Sequence, residues 1–298
     1  MGDTQHATAK VRPGSATSAL VLDGKPCGLL RDVAGGSICA DVVVEKAGSL
    51  SMKKHLSTVR YEEFELEIGF AMEAPVYDWI ASNWQSSGAI HQGSILDCNE
   101  KLEVQSEREF TGALLTQTTI PRLDTQAKDA VGLKLKFAPE LVRFKKGSGK
   151  ASGADPRSPE KLFVPSRFKL EIDGIDCEKV SAIDSFAVTQ KVVREAVGER
   201  GDTPTYQGTV TFPDLKIHFS EALNDSWRGW FEDLVIQGKS GGEKSGKLTL
   251  FNRTGKPLAS ITFTDLAPFE MGVESDGDRN RRGTASVYCE AMAFKLGA

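Results

Sequence analysis

Residues 18–48 recur without a gap at 168–198, about 150 positions later. The two stretches match at Leu20/Leu170, Asp23/Asp173, Gly24/Gly174, Cys27/Cys177, Val42/Val192, Val43/Val193, Glu45/Glu195 and Gly48/Gly198. The correspondence continues downstream, pairing Trp79 with Trp230, Phe110 with Phe263, Glu140 with Glu290 and Phe144 with Phe294. Solenoid periods run to roughly 20–50 residues and their units cannot fold alone. A copy this long can bury its own core. The chain therefore reads as one domain written twice, 18–146 and 166–298, and neither copy is expected to thread through the other.

The stretch between the copies, 147–165, is rich in Gly, Ser, Lys and Pro, which is linker composition. Residues 1–17 are polar and short of apolar anchors, so they read as a flexible arm that orders against a partner. A net charge of −4 argues against a basic nucleic-acid binder, and 40% hydrophobic residues argue against disorder. No apolar run is long enough to span a membrane, and the polar start does not read as a signal peptide, so cytoplasmic synthesis is the expectation. Cys27, Cys39, Cys98, Cys177 and Cys289 are odd in number and form no CxxC, so they read as small buried residues.

Hydrophobic periodicity is mostly two. FKLEIDG sets Phe168, Leu170 and Ile172 against Lys169, Glu171 and Asp173 before an Asp-Gly turn, which predicts a hairpin over 168–182; LVLDGK does the same in the first copy. Further strands are expected at 209–220, 246–266 and 284–296, the middle pair turning at Thr254-Gly255-Lys256. One segment per copy breaks the pattern. NDSWRGWFEDLVIQG has a Ser/Asp start, apolar Trp227, Trp230, Phe231 and Leu234, and a closing Gly238, predicting a helix over 224–237. APVYDWIASNWQSSG predicts its counterpart over 74–86, with Pro75 in the first turn. Trp79, Trp227, Trp230 and Phe231 are the expected core of these helices. The fold class is α+β, mainly β: two tandem antiparallel β-barrels or sandwiches with one helix each.

The order of these elements carries a resemblance. An alternating strand ending in DG, a short return strand, VVxE with a polar loop, another strand, a Trp-bearing helix, a strand–turn–strand with GKP and a closing strand with an early Glu is similar to the inner tail-tube proteins of contractile phages and related bacterial injection systems. FKLEIDG, VVRE, SWRGWF, TGKPLASITFTDLAPF and YCEAMAF carry it most clearly; the first copy lacks the opening Phe and the Gly turn. The resemblance implies rings in which subunit sheets pair edge to edge, stacked into a tube. Six single domains make a ring, so three two-copy chains would form a homotrimer with pseudo-sixfold symmetry. It further implies a virion tail or injection particle, a sheath or baseplate neighbour, and a lumen through which DNA or protein passes without specific binding. A tube cap or baseplate hub adaptor is the variant within the same class.

The remaining motifs point away from chemistry. GGEKSGKL ends in Leu248 where a phosphate loop needs Ser or Thr, and it runs from helix into strand rather than the reverse. Asn224 and Asn252 head glycosylation triplets that have no secretion signal beside them. His6, His55, His91 and His218 show no metal-ligand spacing, and His218 falls on the polar phase of LKIHFS. No nucleophile, base or metal set stands out, so neither an enzyme nor a cofactor is expected; a soluble ligand-carrying barrel is the competing class. Asp276, Asp278, Arg279, Arg281 and Arg282 read as a charged loop. The segments 46–60 and 194–208 read as polar loops, the first basic (Lys46, Lys53, Lys54, Arg60) and the second more acidic (Glu195, Glu199, Asp202). In the resembling family that loop reaches the neighbouring ring, which makes these residues candidates for inter-ring contact.

Overall fold

A computed structural model describes residues 17–46, 52–153, 161–194, 205–220, 225–276 and 280–297. The first half runs β1 (Thr17–Leu22), β2 (Lys25–Leu29), β3 (Asp32–Gly35), β4 (Ile38–Lys46), β5 (Met52–Tyr61), β6 (Phe64–Ile68), α1 (Ala74–Trp84), β7 (His91–Cys98), β8 (Val104–Ile120), β9 (Leu123–Asp124), β10 (Leu133–Ala138) and β11 (Leu141–Lys146). The second runs β12 (Phe163–Ile172), β13 (Val180–Ile183), β14 (Phe186–Arg194), β15 (Thr205–Thr211), β16 (Leu215–Phe219), α2 (Asp225–Phe231), β17 (Lys244–Asn252), β18 (Pro257–Asp276), β19 (Asn280–Tyr288) and β20 (Ala291–Leu296). The protein is mainly β, and among the described residues the strand pairs are antiparallel.

One sheet path is β2-β1-β7-β8-β10-β6-β3, and the other is β12-β17-β18-β19-β16-β13-β9. Taken element by element, the order β1-β7-β8-β10-β6-β3 recurs as β12-β17-β18-β19-β16-β13, with β11 on β8 and β20 on β18. Registers recur too. Leu20 faces Ile95 as Leu170 faces Leu248, and Gly93 faces Phe110 as Gly246 faces Phe263. Lys136 and Phe137 flank a bulge opposite Thr116, and Ser286 and Val287 flank one opposite Phe269.

Alternation explains the inward faces. Phe64, Leu66 and Ile68 of FELEI are buried while Glu65 and Glu67 point outward. Leu133, Leu135 and Phe137 of LKLKFA do the same opposite them. Trp79, Trp227 and Trp230 are buried, and the main core cluster runs through both halves, with a smaller one of Ala19, Leu29, Cys98, Val104 and Ala151 beside it. Cys27, Cys98 and Cys289 are buried, and burial pushes all three thiols up, that of Cys289 to about 12, whereas Cys39 and Cys177, expected to be buried as well, are only half-buried.

Several expectations need correction. The basic segment 46–60 is not a loop: Met52–Tyr61 is the strand β5, paired with β4 from Ile38↔Tyr61 to Lys46↔Met52. Every side chain of β5 but Tyr61 is exposed, so the strand has no buried phase to read. The acidic segment likewise ends in strand β15, while Glu195, Glu199 and Asp202 lie outside the described residues. Much of the charged 275–282 segment belongs to the ends of β18 and β19 rather than to a loop; Asp278 and Arg279 lie outside the described residues.

The hairpin expected over 168–182 does not form beyond one isolated bridge, Ile172↔Ile175. Trp227 Nε1 donates to Asp176 O at 2.9 Å and Asp176 N donates to Ser226 Oγ, so α2 takes the backbone groups a return strand would use. β13 pairs with β16 and β9 instead. Finally, the second helix is α-helical only over Asp225–Phe231 and widens into a π-turn over Glu232–Ile236. Phe231 is only half-buried and stands outside the core cluster, while Leu234 packs against it. His218, expected on the outer phase, is buried.

Two outcomes are expected. Trp227→Phe keeps the bulk but removes the indole N–H bond to Asp176 O, costing about 0.5–1.5 kcal/mol, whereas Trp227→Ala costs about 3–5 kcal/mol; equal denaturation midpoints for Trp227→Phe and wild type would show that the indole bond adds nothing to stability. With a small thiol reagent at pH 8, Cys27, Cys98 and Cys289 stay unmodified in the folded chain and react in guanidinium, read by peptide mass. Rapid labelling of any of the three in native protein contradicts their burial.

Candidate assembly interface

The two halves meet through a sheet edge. β14 of the second half pairs with β8 of the first, with Phe186↔Ile120, Ala187↔Thr119, Val188↔Thr118 and Thr189↔Gln117. Phe186, Val188, Thr118 and Ile120 are buried by this contact and the packing around it. Side chains lock the register. Thr205 of β15 donates to Glu140 Oε1 from its backbone N at 2.6 Å and from its hydroxyl at 2.8 Å. Asn83 Nδ2, one turn past Trp79 on α1, donates to both Leu115 O and Gln190 Oε1. Phe294 of β20 packs edge-on to Trp84 with centroids 5.8 Å apart and stacks on Tyr77.

A charged cleft of about 470 Å³ lies beside the β9–β13 contact, lined by Arg122, Asp124, Asp184, Lys216, His218, Glu274 and Arg282. Its charges are used on one another: Arg122 pairs with Asp184, and Lys216 Nζ lies 2.6 Å from Glu274 Oε1. His218 Nε2 sits 3.0 Å from Asp184 Oδ1, which satisfies the buried ring. Lys216 is held above the usual lysine range by its hydrogen bond to Glu274, and Glu274 is lowered by the same bond. The cleft is thus a joint between halves in which an incoming anion or cation competes with existing partners. Among the described residues no group of His, Cys, Asp and Glu is arranged to hold a metal ion.

The hairpin β4–β5 is a two-stranded sheet by itself. Ile38, Val42, Val44, Leu56 and Val59 are exposed on it, whereas a two-stranded ribbon alone is marginal in water. Of the residues expected to contact a neighbour, Lys46, Lys53, Lys54 and Arg60 all sit on this hairpin. Arg60 is engaged with Asp41 across the strands. Lys53 and Lys54 are consecutive in a strand, so they point to opposite faces and cannot serve the same neighbour in the same way. Sequence reasoning missed Glu140, Asn83, Gln190 and Phe294 as contact residues; only Glu140/Glu290 and Phe144/Phe294, matched between the halves, signalled two of these positions.

No family description matches the sequence, and no curated protein matches it. Among solved structures the chain is similar to one in the anti-feeding prophage baseplate, sixfold symmetrised, at 15% identity over 43% of this chain and 92% of that one, TM-score 0.35. It is similar to one in the sheath–tube complex of the PVC extracellular contractile injection system in its extended state, at 17% identity over 43% and 88%, TM-score 0.38. A chain of the cap that terminates the anti-feeding prophage tube aligns at 12% identity over 44% and 89%, TM-score 0.33.

Proposed function

We propose that the chain is two tandem copies of one tube-like domain, 18–146 and 166–298 joined by 147–165, and that it is a structural subunit of a phage-tail-like or contractile injection apparatus. Three chains close into a ring of six domains that forms a conduit, without a catalytic step. The observation that carries this reading is the contact between the halves: it joins different surfaces, the hairpin of one half and the long strand of the other. Such a heterologous contact, once used inside the chain, leaves one hairpin and one strand edge over, and repetition of it generates a ring or a filament. The order of sequence motifs supplies the class of apparatus. A carrier barrel gives no reason for an apolar hairpin left in solvent.

Stacking of rings would use the other face of the hairpin tip, where Lys53 lies opposite Glu45, against the acidic segment that contains Glu195, Glu199 and Asp202. Negative-stain images and sedimentation of the purified chain are expected to show rings of three chains with six lobes. A species of one chain mass at high concentration would overturn the reading, and a six-chain ring would overturn the trimer alone. Lys53→Glu is expected to shorten stacks most at low salt while leaving rings intact; unchanged stacks at low salt would remove Lys53 from that interface.

A further inference from the structure

The backbone pairing, the Thr205–Glu140 contact and the Phe294 contact each have counterparts that stand unpartnered among the described residues. The bulge and pairings that align β8/β10 with β18/β19 place Gln117, Thr118 and Ile120 in correspondence with Glu270, Met271 and Val273. Ile120 is 0% exposed beneath β14, but Val273 is 53% exposed, and among the described residues no strand pairs with Ala267–Asp276 on the side away from β19. The hairpins align equally well. β4–β5 and β14–β15 share a register shift, between Ala40 and Val42 and between Gln190 and Val192. Val188 is 1% exposed on β8, whereas its counterpart Ile38 is 39% exposed. An open acceptor edge and an open donor hairpin therefore stand at equivalent places on opposite halves.

We propose that β4 of one chain adds to the free edge of β18 in a second copy of this chain, with Ile38 opposite Met271 and Cys39 opposite Glu270. This rests on the ring reading above and names the surfaces that close the ring. Two side-chain complements, independent of the edge itself, favour this occupant. Thr205 faces Arg194 across the second hairpin as Lys54 faces Val44 across the first, so Lys54 takes the place of Thr205. Glu290 holds the same turn as Glu140: its N–H donates to Thr264 O at 3.1 Å as that of Glu140 donates to Thr111 O at 3.0 Å. The intrachain Thr205–Glu140 hydrogen bonds thus become a Lys54–Glu290 ion pair between chains.

The second complement is apolar. Phe294 is buried against α1 inside the chain, while Phe144, its counterpart on β11, is 62% exposed. Val235 and Ile236 are exposed at the end of the second helix, where Trp84 stands in the first. In the proposed contact the helix end of one chain covers Phe144 of the next. The direction agrees: a second half receives the neighbour's hairpin on β18 and lays its helix on that same neighbour's β11. Gly35 and Gly36, with φ of +73° and +75°, form the joint from which the hairpin leaves the sheet. Their conformational freedom lets β4 swing onto the edge.

Glu270→Cys in the full chain tests the register, because it places one new thiol opposite the native Cys39. Directly opposed residues have Cα atoms about 4.5–5.5 Å apart, within the span of a disulfide. Mild oxidation is expected to give covalent dimers and trimers on a non-reducing gel, abolished by adding Cys39→Ser. Glu274→Cys, about 13 Å further along the same face, is expected to give none. Absence of a Cys39-dependent link in a sample that sediments as a trimer overturns the pairing and leaves the ring reading standing. A sample that sediments as single chains overturns both, and links that run past three chains keep the pairing but overturn ring closure. Lys54→Glu is expected to raise the concentration for half-assembly about tenfold, with Glu290→Lys added to it restoring assembly. Loss that this second change does not rescue overturns the Lys54–Glu290 contact.

Discussion

A strand edge presents a row of backbone N–H and C=O groups that pair with any strand that reaches them, and leaving them dry and unpaired costs free energy. In this chain that constraint is concentrated on β8. Its seventeen residues pair with β7, β10, β11 and β14, so one strand belongs to the body of the first half and to the contact between halves. The bend that makes this possible is local. Gly112 has φ of +65° in the middle of the strand, and a Cβ there would meet the Glu140 side chain. Thr205 then uses the same Glu140, so the turn after β10 and the docked hairpin are fixed together.

The energetics of the two hairpins differ although their internal pairing is alike. Burying Phe186 and Val188 contributes roughly 1.5–3 kcal/mol each relative to leaving them in water. β4–β5 has the same ladder and the same bulge but no such burial, so its backbone bonds compete with water at little gain. A strand pair that is apolar, exposed and unsupported is an aggregation hazard in a monomer. In an assembly it is an ordinary interior element. The chemistry at the tips differs in a matching way: a neutral Thr205 where the contact is within one chain, and a charged Lys54 on the hairpin that is free. Covalent linkage holds the internal contact at high effective concentration. A contact between separate chains gains from charge that steers encounter and discriminates partners.

Much of the architecture was legible in the residues, because half-buried strands and amphipathic helices write their periods directly. FELEI and LKLKFA show alternation, the helix at 74–84 starts on its Pro, and Trp79, Trp227 and Trp230 stand at helical spacing on apolar faces. The offset of about 150 residues between Leu20 and Leu170 also relates the pairing of Leu20 with Ile95 to that of Leu170 with Leu248. β5 was not legible, because a strand exposed on both faces has no alternation to write. The missing hairpin after Asp173-Gly174 and the half-buried Phe231 were not legible either, since both depend on how α2 docks.

By itself, then, the sequence determined the fold class, the recurring order of elements and the helices' apolar faces, because those follow from local period and turn chemistry acting over a few residues. Only the tertiary structure decided that β14 adds to β8, that Glu140 receives Thr205, that His218 is buried between acidic groups, and that among the described residues the first hairpin and the outer edge of β18 are left over. The reason is physical. Backbone hydrogen bonds between strands carry no side-chain signature of which strand is the partner, so an edge is chosen by long-range geometry rather than by the residues that form it.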